Sequence, residues 1–369
     1  MKKILYTTLI GLLALAAYLL FWPVPIDPAS WTPPASTGLT GEFAVNTLLA
    51  ATERLAEGSG PAPEDVAIDA AGRLYVGFEN GQVARIAPDG SGMEPLAHTG
   101  GRPLGLHFDK QGHLVIADTK KGLLSLDPEN GTLLALSSAY RDVPFGFTDD
   151  VDIDDNGVMY FSDASYKFDH TAYTLDLLEH RPNGALYSYD PRDKTTRLLV
   201  DELYFANGVA VDHRQEFVLV VETGKYRILR HWIRGEKAGQ TEKFIDNLPG
   251  FPDGVSAGSG GVFWVAIATP RDATLDALLP HPFIRKVIAR LPRILQPAPK
   301  RHSFVLGLDR DGKVVHNLQD PAGRYAPITS VQEHGGFLYF GSIIEHAIGR
   351  FPRPAGLDAP PADVAADAS

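Results

Sequence analysis

Cysteine is absent from all 369 residues. That excludes a disulfide scaffold, thiolate catalysis and zinc–thiolate sites together. Positive charge is short: 34 Lys and Arg stand against 45 Asp and Glu, a net −11. An acidic chain repels phosphate backbones, so nucleic acid is not an expected partner. Few amphipathic stretches of helix length separate the apolar runs, which argues against a parallel β/α fold. No Gly-x-Ser-x-Gly elbow precedes a helix, which excludes an α/β-hydrolase. The glycine-rich Gly258-Ser259-Gly260-Gly261 has no helix after it, so no phosphate-binding loop is supported. Turn residues, by contrast, are plentiful, with 36 Gly and 28 Pro. The 44% hydrophobic content rules out wholesale disorder.

Residues 4–22 form an uncharged run, ILYTTLIGLLALAAYLLFW, just long enough to cross a bilayer as a helix. Lys2 and Lys3 precede it, which puts the N-terminus in the cytoplasm and the rest in the periplasm, a lumen or the cell exterior. Tyr18, Phe21 and Trp22 suit the far interface. The run is long for a cleaved signal peptide and no A-x-A site precedes Pro23-Val24-Pro25, so an uncleaved signal anchor over 1–22 is expected. A cleaved signal and a buried core helix are the alternatives. Residues 23–44 read as a Pro-, Ser- and Thr-rich linker, and 352–369 as a disordered tail.

Between them one plan recurs six times: an apolar stretch, a Gly/Asp/Asn turn, and a second β-rich run. The segments are EDVAIDAAGRLYVGF from Glu64, LGLHFDKQGHLVIAD from Leu104, DDVDIDDNGVMYFSD from Asp149, NGVAVDHRQEFVLVVE from Asn207, DGVSAGSGGVFWVAI from Asp253 and ITSVQEHGGFLYFGS from Ile328. Their second strands are spaced by 40, 45, 59, 45 and 75 residues, and further strands such as QVARIAP and GALYSYDP follow. Four strands repeated six times predicts an all-β, six-bladed β-propeller over 45–351. Insertions fall at 164–182 and 270–302. The second carries a helical stretch interrupted at Pro282 and Pro292, with Arg285, Lys286, Arg290 and Arg293; it either covers the propeller mouth or touches anionic lipid.

A propeller brings the start of each inner strand to the central channel. In this register the first positions are Glu64, Leu104, Asp149, Asn207, Asp253 and Ile328, or Thr329 after a one-residue shift. Three carboxylates crowded there are costly without a cation. Ligation by oxygen alone indicates a hard cation, and contributions from four blades suit the large, flexible shell of Ca2+ better than Mg2+. Taken singly, Asn207-Gly208 and Asp253-Gly254 also read as ordinary turn dipeptides.

FANGVAVD at 205–212, LPGFPDGVSA at 248–257, DDVDIDDNGVMYFSDAS at 149–165, EHGGFLYFGS at 333–342 and RPLGLHFDKQGHLVIADTKKGL at 102–123 resemble the strictosidine synthase-like family, which takes in the adipocyte plasma membrane-associated proteins. The wider group includes gluconolactonase, regucalcin and paraoxonase. The resemblance implies a channel Ca2+ supporting lactone or ester hydrolysis, held by Glu64, Asp149, Asn207 and Asp253. Asp149 stands where the group usually has Asn; its charge should strengthen cation binding and weaken the metal's pull on a substrate carbonyl. The resemblance also makes Asp253 the expected general base or nucleophile, with Asp149 second; the bland reading makes both only ligands.

His107 should turn away from the channel, and Leu104 occupies the place where paraoxonases put a histidine. His281 and His334 have no visible partner. Glu333 is the tempting match to the condensing glutamate of strictosidine synthase, but its register is that of the hairpin-turn residues Asp69, Asp109, Asp154 and Asp212. Asp118, Asp163 and Glu222 end second strands, either lining the mouth or closing turns. The expected function is a membrane-anchored, Ca2+-dependent hydrolase of lactones or esters. The alternatives are a non-catalytic propeller with structural Ca2+ that binds a ligand or partner, and, more distantly, a condensing enzyme.

Overall fold

The computed structural model describes residues 2–296 and 298–355. Six four-stranded antiparallel sheets make a six-bladed β-propeller. The inner strands are Val66–Ile68, Pro103–Phe108, Thr148–Ile153, Ala206–Val211, Gly250–Ala257 and Ser330–His334. Each pairs with a second strand that a neighbouring blade covers on either face. For that reason LVIAD at 114–118 and FVLVVE at 217–222 are buried at every position and read as continuous apolar runs rather than alternations. The core lies between blades. One cluster packs Ala67, Tyr75 and Val83 of the first blade against Leu106, Ile116 and Leu124 of the second.

The sixth blade closes the ring in a way the repeat pattern did not reveal. Its outermost strand is Glu53–Leu55, from ahead of the first blade, paired antiparallel with Ile348–Pro352. Arg350 and Glu53 reinforce that seam with a 2.6 Å ion pair. The closing segment is three residues of mixed burial, too short to show a period. The last strand extends to Pro352, so the expected tail begins later; residues 356–369 lie outside the described residues.

Helix α1 spans Lys2–Phe21, and its apolar side chains are exposed. By length and hydropathy it is a candidate membrane span. The first insertion forms helix α2, Tyr173–Glu179, which the sequence did not signal. The second forms α3, Ala273–Leu278, and α4, Pro282–Ala289, then a single 3-10 turn at Arg293–Leu295. Pro282 begins α4 rather than breaking a helix, because a first-turn N–H needs no intrahelical partner.

The supposed linker is in fact packed. Ile26 is buried with Phe168 and Leu178, Ala29 N–H donates to Glu179 O at 3.0 Å, and Trp31 stacks on His180 at 4.3 Å. Residues 23–31 therefore form a strap across α2, α3 and α4. Of the cations of the second insertion, Arg285 and Lys286 bond this strap and Arg290 bonds the end of α1. Arg285 is fully buried and Arg290 nearly so, while Lys286 pairs with Asp27 at 3.1 Å.

Candidate functional site

Several inner strands carry a register irregularity near their start: between Pro103 and Leu106, Thr148 and Val151, Ala206 and Val209, and Pro252 and Val255. Such bulges break strict alternation and let two successive residues serve the channel. Two layers result. The upper one holds Glu64, Asp149, Asn207 and Asp253, all lining one cavity of about 380 Å3 at the propeller mouth. The first three are buried, and Asp253 is half-buried.

The lower layer was not anticipated. Asp65 and Asp150 line a small chamber of about 20 Å3, enough for about one water, with Thr329, Ser330 and Gln332. They also fasten blades together. Asp65 Oδ2 accepts Leu106 N–H at 2.9 Å, and Asp150 Oδ2 accepts Val209 N–H at 2.7 Å. The ring continues with Gly254 N–H to Thr329 O at 2.8 Å and Thr329 Oγ1 to Glu64 O at 2.9 Å. The strands approach so closely that a Cβ on Gly208 would lie 2.4 Å from Val255 N.

The electrostatics are those of crowded acids. Burial pushes the Glu64 and Asp149 carboxyls well above the ordinary range, and mutual repulsion adds to it: Glu64 feels Asp149 and Asp253, and Asp149 feels Asp253 and Asp150. Burial likewise pushes Asp253 up to about 7, opposed by a hydrogen bond from the Asn207 side chain. Among the described residues no donor reaches the Glu64 or Asp149 carboxylate, and Arg102 is the cation that acts on both.

This donor set fits Ca2+ by its chemistry: three repelling carboxylates and an amide oxygen, with no nitrogen or sulfur ligand. Among the described residues no three acidic or histidine side chains form a ready-made metal cluster, so Asn207 and solvent would complete the oxygen shell.

Above this floor the walls are apolar: Leu104, Phe147, Phe205 and Phe251 from the blades, Leu177 and Leu178 from α2, and Leu275 and Ile288 from α3 and α4. Polar groups stand among them, and Arg102 and His170 are two that escaped the sequence reading. Arg102 is buried; its Nη2 donates to Ala62 O at 3.3 Å, and its Nη1 has no partner. His170 of the first insertion lines the cavity, with Nδ1 3.4 Å from Thr119 Oγ1, and burial lowers its pKa. Insertions carry no repeat register, so nothing pointed to His170.

The other candidates lie elsewhere. His107 pairs with Asp152 at 3.2 Å, away from the cavity, and Leu104 takes the wall position. His281 sits at the start of α4 and His334 ends an inner strand; neither lines the cavity. Glu333 accepts hydrogen bonds from Ser259 Oγ and, both at 2.8 Å, from Trp264 Nε1 and Arg353 Nη1, which against the effect of burial hold its carboxyl below the usual range. Asp118 accepts Lys120 N–H within a turn, while Asp163 and Glu222 accept Phe147 and Tyr204 N–H and so fasten the segments that lead into the inner strands; none of the three lines the cavity.

A sequence model described as strictosidine synthase matches residues 149–236, and one described as strictosidine synthase-like, N-terminal, matches 41–86. The adipocyte plasma membrane-associated protein of Rattus norvegicus is 34% identical over 345 residues, covering 86% of this chain and 90% of that protein. Protein STRICTOSIDINE SYNTHASE-LIKE 6 of Arabidopsis thaliana is 35% identical over 287 residues, 76% of each chain. Among solved structures, a gluconolactonase from Xanthomonas campestris superposes with a TM-score of 0.60 at 18% identity, covering 90% of this chain and 99% of that one. The calcium-binding protein regucalcin from Agrobacterium tumefaciens does so with 0.56 at 16%, covering 89% and 100%. The propeller, its closure and its acid-floored mouth are thus those of a chain that belongs to the strictosidine synthase-like family and shares its fold with gluconolactonase and regucalcin.

Proposed function

We propose that the protein is a membrane-anchored, Ca2+-dependent hydrolase of lactones or esters, with α1 as an uncleaved anchor and the propeller on the extracytoplasmic side. One observation carries this reading. Glu64, Asp149, Asn207 and Asp253 converge, with no hydrogen-bond donor to Glu64 or Asp149 among the described residues, on the floor of a mostly apolar cavity of about 380 Å3. That volume lies in the usual range for small-molecule sites. These four residues would hold the ion, which when bound supplies Lewis-acid polarisation of a carbonyl oxygen.

The chain's own groups do the rest. Asp253, half-buried at the floor and oriented by Asn207, accepts a proton from the attacking water. The free Nη1 of Arg102 is a fixed donor for an oxygen that gains negative charge. The apolar walls hold the hydrocarbon part of the substrate and keep bulk water out. Glu333, committed to Trp264 and Arg353 outside the cavity, gives no support to the condensing alternative.

The test is turnover of an aryl-ester and lactone panel by the full chain, with and without chelator. The proposal expects chelator-sensitive turnover that Asp253→Ala lowers by at least a hundredfold. Turnover retained in the Glu64→Ala/Asn207→Ala double variant would sink the metal-centred mechanism. Absence of turnover in a chain that does bind Ca2+ would favour the non-catalytic ligand-binding propeller, whose three carboxylates neutralise the ion they hold.

A further inference from the structure

The membrane helix and the mouth of the cavity are joined by direct contacts. Arg290, just after α4, donates from Nε to Trp22 O at 2.6 Å and from Nη1 to Leu19 O at 3.0 Å. These are carbonyls at the C-terminal end of α1, which a helix leaves without partners. Tyr18 Oη returns a bond to Arg290 O at 3.1 Å. Two residues back, Ile288 lines the cavity. One side-chain layer therefore separates the end of the membrane span from the cavity wall.

The strap makes the joint stiff. Arg285 Nη1 donates to Leu178 O at 2.8 Å and Glu179 O at 3.2 Å, and its Nη2 donates to Ala29 O. Asp27 takes ion pairs from Arg181 at 2.7 Å and Lys286 at 3.1 Å. Trp31 N–H donates to Leu279 O at 3.2 Å. Anchor, strap and rim helices α2 to α4 thus hold one another.

Around this joint the surface is apolar where a soluble protein would be polar. Phe283 is 59% and Ile284 43% exposed on α4, and Ile294 is 90% and Leu295 63% exposed just beyond it. Ile344, on the cavity wall, is 53% exposed. Exposed apolar groups mark an interaction surface, and four of these lie on α4 and the turn after it, on either side in sequence of Arg290, which bonds the end of a helix suited to the bilayer core. Arg285 and Arg290 are engaged by backbone carbonyls and Lys286 by Asp27, so what Phe283, Ile284, Ile294 and Leu295 present is hydrocarbon.

We propose that the propeller mouth rests on the bilayer that holds α1, with Phe283, Ile284, Ile294 and Leu295 inserted among the lipid headgroups, and that the cavity takes lipophilic carbonyl compounds from that bilayer. The substrate class rests on the hydrolase reading; the membrane contact does not. An ester or lactone partitioned into lipid would reach the cavity without crossing water, its carbonyl directed to the acid floor and its chain to the walls.

A chain without cysteine makes the contact directly measurable. Phe283→Cys, Ile294→Cys and Gln111→Cys would each carry an environment-sensitive fluorophore in the full chain, reconstituted in phosphatidylcholine vesicles. Gln111 is an exposed turn residue at the opposite end of its blade. Brominated lipid should quench the labels at 283 and 294 at least twofold more than the one at 111, equally with and without phosphatidylglycerol. Equal quenching at all three positions overturns the contact, and quenching that requires the anionic lipid overturns its apolar character. For the ligand class, non-hydrolysable alkyl methyl ketones of increasing length would be titrated in nanodiscs, corrected for uptake by empty discs. Affinity should rise up to about fourfold per methylene until the cavity is full; a flat series overturns the lipophilic class. If ketones bind with that slope while no ester turns over, the hydrolase reading and the substrate role fail, and the membrane contact and the lipophilic ligand class stand.

Discussion

Replacing Arg285 by Met should release the strap from the propeller mouth while leaving the blades intact. The Arg285 side chain is wholly buried, has no carboxylate partner, and spends its donors on Leu178 O, Glu179 O and Ala29 O, with Nε unpaired. Hydrogen bonds from a charged donor are each worth about 1.5–3 kcal/mol net. Three of them exceed what methionine recovers by sparing the burial of an uncompensated cation, itself a cost of several kcal/mol. A net loss of about 3 kcal/mol is expected, confined to residues 23–31 and α2. Since 1.4 kcal/mol is tenfold, local opening should rise by about a hundredfold. Hydrogen exchange with mass spectrometry on the full chain would show this as lost protection in 23–31 and 173–180, with Phe217–Glu222 unchanged as the internal control. Protection in the strap within threefold of the parent chain would show that Arg285 does not clamp it. Equal loss in the blades would show that strap and propeller unfold together.

Three further outcomes follow from other parts of the molecule. Burial, then the charges of Lys225 and Arg285, lower His180 to about 2, below its ordinary 6.5. The stability this neutral ring supports is complete above pH 6.5 and is lost as pH falls toward 2, by up to about 1.4 kcal/mol per unit. The channel carboxyls, raised in the fold, act in the opposite direction, so the comparison is with His180→Asn, which tolerates the left-handed backbone there: between pH 6.5 and 5 urea unfolding should show the parent losing about 2 kcal/mol more than the variant, and identical pH dependence would show that His180 does not titrate in this way. Deleting residues 1–57 removes the closing strand, so a melting temperature equal to that of the full chain would contradict closure by Glu53–Leu55. Glu333→Gln should leave ester turnover within twofold while lowering the melting temperature, because its carboxylate serves Trp264, Arg353 and Ser259; abolished turnover would restore it to the chemistry.

The repeat made the floor readable in advance. Because equivalent positions in a propeller converge, the register alone grouped Glu64, Asp149, Asn207 and Asp253, and the cavity gathers all four. Asp65 and Asp150 escaped because alternation turns the next residue away; Asp65 lies just ahead of its strand, where alternation does not hold, and at Asp150 a bulge that leaves no mark in the pattern overrides it. His170 and α2 lie in an insertion outside the repeat. The strap looked like a spacer because Pro-rich composition describes a free chain. What orders it is a buried guanidinium more than 250 positions away in sequence, a long-range contact that composition cannot express. The closing strand was hidden by its length of three residues.

Calcium titration by calorimetry tests the account most directly, on the chelator-stripped full chain in detergent. The account predicts uptake of one Ca2+ per chain, weakened at least tenfold in Glu64→Gln/Asn207→Ala, with a melting temperature that rises with Ca2+ in the parent alone. No uptake at millimolar Ca2+, or equal affinity in that variant, would contradict it.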